Sequence, residues 1–231
     1  MKLLSLREEV FEANRDLVRK GLVLFTFGNA SGYDRQSGLV VIKPSGVPYD
    51  TMTPDDMVIT DLQGQIVEGN LRPSSDLATH LSLYKGFGGV GGVVHTHSRY
   101  ATAWAQAGKP IPCLGTTHAD YFQGAIPVTP SMAAEEIHDQ YEWNTGQVIV
   151  KRFQDLDPLA TPGVLVQGHA PFCWGKTPAD AAYNAAIVEE VAHMAYLTLT
   201  INREVGGISD VLRDKHFLRK HGPAAYYGQK A

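Results

Sequence analysis

Between residues 5 and 20 apolar positions recur at helical spacing, with Leu6, Val10, Ala13, Leu17 and Val18 on one side and Gly21 placed as a stop. The period then changes. Short β-branched or aromatic runs at 22–27, 39–43, 57–61 and 65–67, separated by Gly, Asp and Pro, predict a meander of strands. Ser74 and Ser75 stand where a helix reaching about Tyr84 would be capped, a strand is predicted over 90–95, and Tyr100 to Ala107 reads as a helix ended by Gly108. Further strands are predicted near 111–114, 125–129, 163–167 and 171–174, and long helical patterns cover 131–154, 177–201 and 208–220. The second of these carries Val188, Val191, Ala192, Ala195 and Leu199 as a stripe suited to covering a sheet. Connections in the first half are too short for crossover helices, so the strands there should pair antiparallel. The expected architecture is α/β: a three-layer αβα arrangement with a central mixed, mostly antiparallel sheet, residues 1–231 forming a single domain.

Composition narrows the function classes. With 44% hydrophobic and 19% charged residues the chain has material for a substantial core. Its net charge of −4 provides no global positive field for nucleic acid. No run of about 18 apolar residues predicts a membrane span, and Arg7, Glu8 and Glu9 interrupt the start before a signal region develops, so a cytoplasmic location is expected. Cys113 and Cys173 lack C-x-x-C spacing, which argues against a disulfide framework or a thiolate metal site.

The segment V-G-G-V-V-H-T-H-S-R at 90–99 places two histidines at the end of an apolar strand. Residues i and i+2 of a strand share a face, so His95 and His97 are either two partly buried core histidines or a pair of metal ligands. His169 ends a second apolar run in a Gly and Pro setting, and Asp76 lies on the first turn of the helix that follows R-P-S-S-D. Three imidazoles and a carboxylate suit Zn²⁺, with Mn²⁺, Co²⁺ or Fe²⁺ as alternatives. Taken singly, Asp76 is equally explained by pairing with a helix dipole and His169 by a turn hydrogen bond. A rival metal pattern exists in Glu135-x-x-His138 and Glu190-x-x-His193, the spacing of di-iron bundles, but it needs four core helices and few strands.

Three turns combine Gly, Ser or Asn: Gly28-Asn29-Ala30-Ser31, Lys43-Pro44-Ser45-Gly46 and Pro73-Ser74-Ser75. Exposed amides, hydroxyls and a lysine at such turns make an anion cradle, although each alone is also an ordinary turn. None matches a nucleotide-binding loop. Beside a metal site they point to a small phosphorylated substrate.

Taken together, G-N-A-S at 28–31, V-I-K-P-S-G-V at 41–47, R-P-S-S-D at 72–76, V-H-T-H-S-R at 94–99, T-T-H-A-D-Y-F at 116–122, Y-E-W-N-T-G at 141–146 and the stretch 214–229 resemble the class II aldolase/adducin family, in its epimerase branch. The resemblance runs essentially end to end. It implies that Asp76, His95, His97 and His169 hold one divalent ion per subunit, Zn²⁺ foremost. It also implies that Gly28, Asn29, Ser45, Gly46, Ser74 and Ser75, joined by Lys43, bind a small phosphorylated ketopentose. Asp120 and Tyr227 match the family's two acid/base groups, and in the family the tyrosine reaches its site from the next subunit of a cyclic homotetramer. The implied reaction is the metal-dependent C4 epimerisation of L-ribulose 5-phosphate to D-xylulose 5-phosphate, by cleavage and re-formation of C3–C4. Aldolases of the family carry glutamate where Asp76 stands, and a non-catalytic module, as in the adducin head, would need none of these residues. Glu142, His118 and His216 fall in matching stretches as supporting candidates.

Overall fold

The computed structural model describes residues 2–221 and 225–227. Helix α1 (Leu4–Arg19) forms where the 3.6-residue pattern puts it, burying Val10, Ala13 and Leu17, while Val18 turns outward. Polar residues fasten its inner face. The Asn14 amide pairs with the Ala30 backbone in both directions, accepting from its N–H at 2.9 Å and donating to its carbonyl at 3.2 Å. Buried Arg7 donates to the Met57 carbonyl at 2.7 Å and pairs with Glu68 at 2.9 Å.

Among the described residues the strands are β1 (Asn29–Asp34), β2 (Leu39–Ile42), β3 (Val58–Asp61), β4 (Ile66–Glu68), β5 (Gly92–His95), β6 (Gly163–Leu165) and β7 (Pro171–Gly175). They form one sheet in the order β4-β3-β2-β1-β5-β7-β6. Every ladder is antiparallel, and the mixed character expected from the sequence reduces to one isolated parallel bridge, Val128 with Leu165. Alternation along the strands divides the core in two. Val41, Val94 and Cys173 face the layer that holds α1, α3 (Arg99–Gln106) and α7 (Pro178–Ile201); Val40, Val93, Phe172 and Trp174 face α2 (Leu77–Gly86) and α6 (Tyr141–Arg152). Each such fully buried side chain contributes about 1.5–3 kcal/mol, so both faces drive the sandwich.

Four predicted elements differ. Residues 22–27 turn rather than extend, with Phe25 at φ 53°, and the strand comes later as N-A-S-G-Y-D, a segment with no apolar run. The reason is crowding: a Cβ on Gly32 would sit 2.7 Å from Leu6 and 2.9 Å from Val10 and Pro178, so small residues are required where α1 and α7 cross β1. The runs at 111–114 and 125–129 contribute only the bridge Ile111–Ile126. The pattern over 131–154 splits into α5 (Ala134–His138) and α6, broken where Gln140 adopts φ 47° and Asn144 donates to the Glu136 and Asp139 carbonyls. Short α4 (Thr116–Ala119) packs on α8 (Asp210–His221). No described helix is long and apolar enough to cross a membrane.

Candidate active site

Strand pairing assembles the centre. β5 lies between β1 and β7, so His95 stands opposite Asn29 on one side and Phe172 on the other, and His169 occupies the turn just before β7. His97 follows two residues beyond the end of the ladder. One nitrogen from each of His95, His97 and His169 falls within 4.8 Å of the others, and the Nε2 atoms of His95 and His97 are 3.0 Å apart. Two nitrogens on one tetrahedral zinc at about 2.0–2.1 Å stand roughly 3.4 Å apart, close to that spacing.

The electrostatics favour neutral ligands. The Pro171 carbonyl can only accept, so His95 Nδ1 donates to it at 3.0 Å and Nε2 is left as a lone pair. The ring stacks on Phe172 with centroids 4.1 Å apart. Burial pushes His95 down to about 3 and also lowers His97 and His169. Three uncharged imidazoles around one point are a donor set for a borderline cation. Asp76 lies outside the 4.8 Å group yet lines the same cavity, where Asn29 Nδ2 donates to its Oδ2 at 2.6 Å and to Ser74 Oγ at 2.9 Å. Burial works to raise the Asp76 carboxyl, but the neighbouring histidines and the Asn29 amide outweigh it and hold it below the usual range.

The cavity, about 540 Å³, is lined by Gly28, Asn29, Lys43, Ser45, Gly46, Ser74, Ser75, Asp76, His95, His97 and His169, whereas Ala30 and Ser31 of the first predicted turn lie within β1. Two turns are pinned together through a bridge at Pro44 and Pro73, where Ser45 N–H donates to the Arg72 carbonyl and Ser74 N–H to that of Lys43. Gly28 must be glycine. It has φ 74°, and a Cβ there would lie 2.8 Å from the His95 carbonyl oxygen. Lys43 is almost fully buried, with Nζ 3.0 Å from the Val47 carbonyl and 4.7 Å from the centre of the Tyr49 ring, and no carboxylate pairs with it among the described residues. Burial lowers its ammonium to about 8, leaving a cation at neutral pH that an anion in the cavity would stabilise.

Asp120 and Tyr227 do not line this cavity. Asp120 sits at the α4–α8 contact, gripped by Arg219 at 2.7 and 3.0 Å and by His216 at 3.0 Å, and Tyr227 lies over Arg219 and Lys220, 5.0 and 4.4 Å from its ring centre. Burial works to raise the Asp120 carboxyl, but Arg219, His216 and Lys220 bring it below the usual range. Glu142 lines the cavity and His216 binds Asp120, whereas His118 makes a loop bond, donating to the Gly124 carbonyl at 2.8 Å. The rival metal pattern is not assembled: His138 caps its own helix turn and His193 stacks on Tyr100. Thr26, Phe27 and Tyr141 line the cavity without being candidates on the sequence alone. Tyr141 places its hydroxyl 3.4 Å from His169 Nδ1, and Phe27 sets its ring 6.3 Å from that of His97. Tyr141 is adjacent to Glu142 in Y-E-W-N-T-G, the signal that pointed to it.

The family model for the class II aldolase and adducin N-terminal domain matches residues 8–196. The chain belongs to this family. Among curated proteins it is 59% identical over 226 residues to an L-ribulose-5-phosphate 4-epimerase UlaF of Salmonella paratyphi B, covering 98% of this chain and 99% of that protein, and the Salmonella typhi protein of the same name matches equally. Solved structures of the fold include an L-fuculose 1-phosphate aldolase, with TM-score 0.78 at 23% identity over 92% of this chain and 94% of that one. YgbL of Escherichia coli, titled a possible aldolase, epimerase or decarboxylase, has TM-score 0.72 at 21% identity over 92% and 97%. The epimerase relatives at 59% identity over nearly the full chain make it an enzyme, and His95, His97 and His169 form a group that could hold a metal ion.

Proposed function

We propose that this member of the class II aldolase family interconverts L-ribulose 5-phosphate and D-xylulose 5-phosphate by opening and reclosing the C3–C4 bond. The observation that carries the reading is the convergence of His95, His97 and His169, with Asp76, in the cavity also lined by Gly28, Asn29, Lys43, Ser45, Gly46, Ser74 and Ser75. The C4 hydrogen is not α to the C2 carbonyl, so direct deprotonation has no stabilised carbanion. Removal of the C4 hydroxyl proton instead lets C3–C4 break, with the bonding pair left on the three-carbon fragment as an enediolate and C4 becoming an aldehyde. A divalent cation held by the histidines and Asp76, Zn²⁺ before Mn²⁺ or Co²⁺, supplies Lewis acidity for that negative charge.

The chain's own residues do the rest. The hydroxyls of Ser45 and Ser75, the amide of Gly46 and the Lys43 ammonium offer donors to the phosphate, holding the aldehyde fragment while it rotates about its tether and presents its other face. Asn29 fixes the Asp76 carboxylate through the bond at 2.6 Å. Two proton-transfer groups on opposite faces are required, and Asp120 and Tyr227 are assigned to them. Because both lie together on the α4–α8 side, outside the cavity of their own chain, they serve the cavity of an adjacent copy, consistent with a homotetramer whose sites form between subunits.

The test is product analysis in D₂O. Xylulose 5-phosphate that retains its C4 hydrogen is the expected result. Deuterium at C4 would overturn the cleavage mechanism, and steady release of glycolaldehyde phosphate with unphosphorylated dihydroxyacetone at turnover rates would favour an aldolase.

A further inference from the structure

His97 is the most exposed of the three convergent histidines, and among the described residues its ring makes no hydrogen bond except that to His95. Its position must come from the backbone. On the upstream side that backbone is fixed by the β5 ladder, which ends at His95. On the downstream side α3 begins at Arg99, and its N-terminus needs a cap. Ser98 stands at the capping position but provides none: its Oγ is buried without a partner. The cap comes instead from a different helix. Glu189, on α7, accepts from the Tyr100 N–H at 2.9 and 3.1 Å and from the Ala101 N–H at 2.9 Å. Its carboxylate therefore satisfies two orphan donors and sits at the positive end of the α3 dipole. Nearby, Trp104 Nε1 donates to the Ala192 carbonyl at 3.0 Å and Tyr100 stacks on His193 at 3.8 Å, so α3 is registered on α7 at three points.

We propose that Glu189 is a positioning residue for the metal centre, capping α3 from α7 and so fixing the Thr96–Ser98 segment that aims His97 at the ion. The proposal rests on the reading of His95, His97 and His169 as metal ligands. Glu189 touches neither ion nor substrate. The carboxylate pins the chain three residues beyond His97 as the ladder pins it two residues before, leaving the segment between with little freedom. An ordinary in-chain serine cap would fix α3 to itself; a cap from α7 fixes it to the rest of the fold.

The experiment compares zinc affinity, by chelator competition, with thermal stability in three variants of the full chain. Glu189→Ala should weaken zinc binding about tenfold, within the range found when supports of metal ligands are removed. Glu189→Gln, which keeps one acceptor oxygen but loses the charge, should weaken it by about threefold. Thr177→Ala removes the α7 cap, where Thr177 Oγ accepts from the Asp180 N–H at 3.1 Å, and should lower Tm comparably while leaving zinc affinity unchanged. Parent-like zinc affinity in Glu189→Gln, or an equal loss in Thr177→Ala, would overturn the positioning role by reducing it to general stability. A parent protein that binds no zinc, manganese or cobalt would instead bring down the metal reading on which the proposal rests.

Discussion

Gly28 offers the sharpest link between backbone geometry and the candidate metal centre. Substitution by alanine forces a side-chain-bearing residue into φ 74°, which costs about 1–2 kcal/mol. The new Cβ would also lie 2.8 Å from the His95 carbonyl oxygen and 2.7 Å from Val23 Cγ1, and a backbone oxygen cannot swing aside as a side chain can. Overpacking of this kind adds about 1–3 kcal/mol. The total expected for Gly28→Ala is therefore about 2–5 kcal/mol, part of it relieved by displacement of β5 at His95. Gly38 is the control, since it has φ 73° but nothing within 4 Å of its would-be Cβ, so Gly38→Ala should cost only the conformational share. Urea denaturation gives the two stabilities and chelator competition the zinc affinities. Gly28→Ala should lose clearly more stability than Gly38→Ala and bind zinc at least severalfold more weakly. Equal stability losses with zinc affinity unchanged in both would refute the claim that the 28–29 turn is built against the ligand strand.

Other expectations follow from the same geometry. Burial holds the Lys43 ammonium near 8, so affinity for the sugar phosphate should be greatest below that pH and fall as the amine deprotonates above it, with KM rising from pH 8 to 9.5. Lys43→Met should weaken binding about tenfold or more and flatten that rise, whereas a wild-type KM constant over this range would remove Lys43 from phosphate binding. His80, His95 and His118 are held neutral by burial, to about 4, 3 and 4, so below pH 6.5 the unfolded chain takes up protons that the folded one refuses. Metal-free protein should accordingly lose stability as pH falls from 6.5 toward 4, by at most about 1.4 kcal/mol per pH unit for each histidine; His118→Gln should lessen the slope, and an identical slope in that variant would contradict the assignment. Finally, Tyr227→Phe should keep metal and fold but lose most turnover. Mixed oligomers of Tyr227→Phe with His97→Asn should regain activity, mixtures with Asp120→Asn should not, and no recovery in the first mixture would count against a site shared between subunits.

Much of the candidate centre could be read in the chain because its ligands are punctuated: an apolar strand ending in His-Thr-His, and turns marked by Gly, Ser and Pro. What local pattern could not give was spacing across the fold. β1 was hidden because Gly32 is demanded beneath α1 and α7 while Ser31 turns to the other face to bond His80 and Tyr84, leaving no apolar run to advertise a strand. The break between α5 and α6 depends on a left-handed Gln140, a conformation that residue type does not announce. Asp120 and Tyr227, the acid/base candidates the resemblance implies, share Arg219 and Lys220 as neighbours. Their separation from their own chain's cavity arises from the docking of α8 on α4, a tertiary contact invisible to periodicity.

The central claim is that one divalent ion, gripped by His95, His97 and His169 with Asp76, is required for C4 inversion. Stripped protein titrated with Zn²⁺ while xylulose 5-phosphate formation is followed tests it most directly. Activity should be absent at the start, rise linearly, and level off at one equivalent per chain. Full turnover in the stripped protein, or a titration unchanged in His97→Asn, would contradict it.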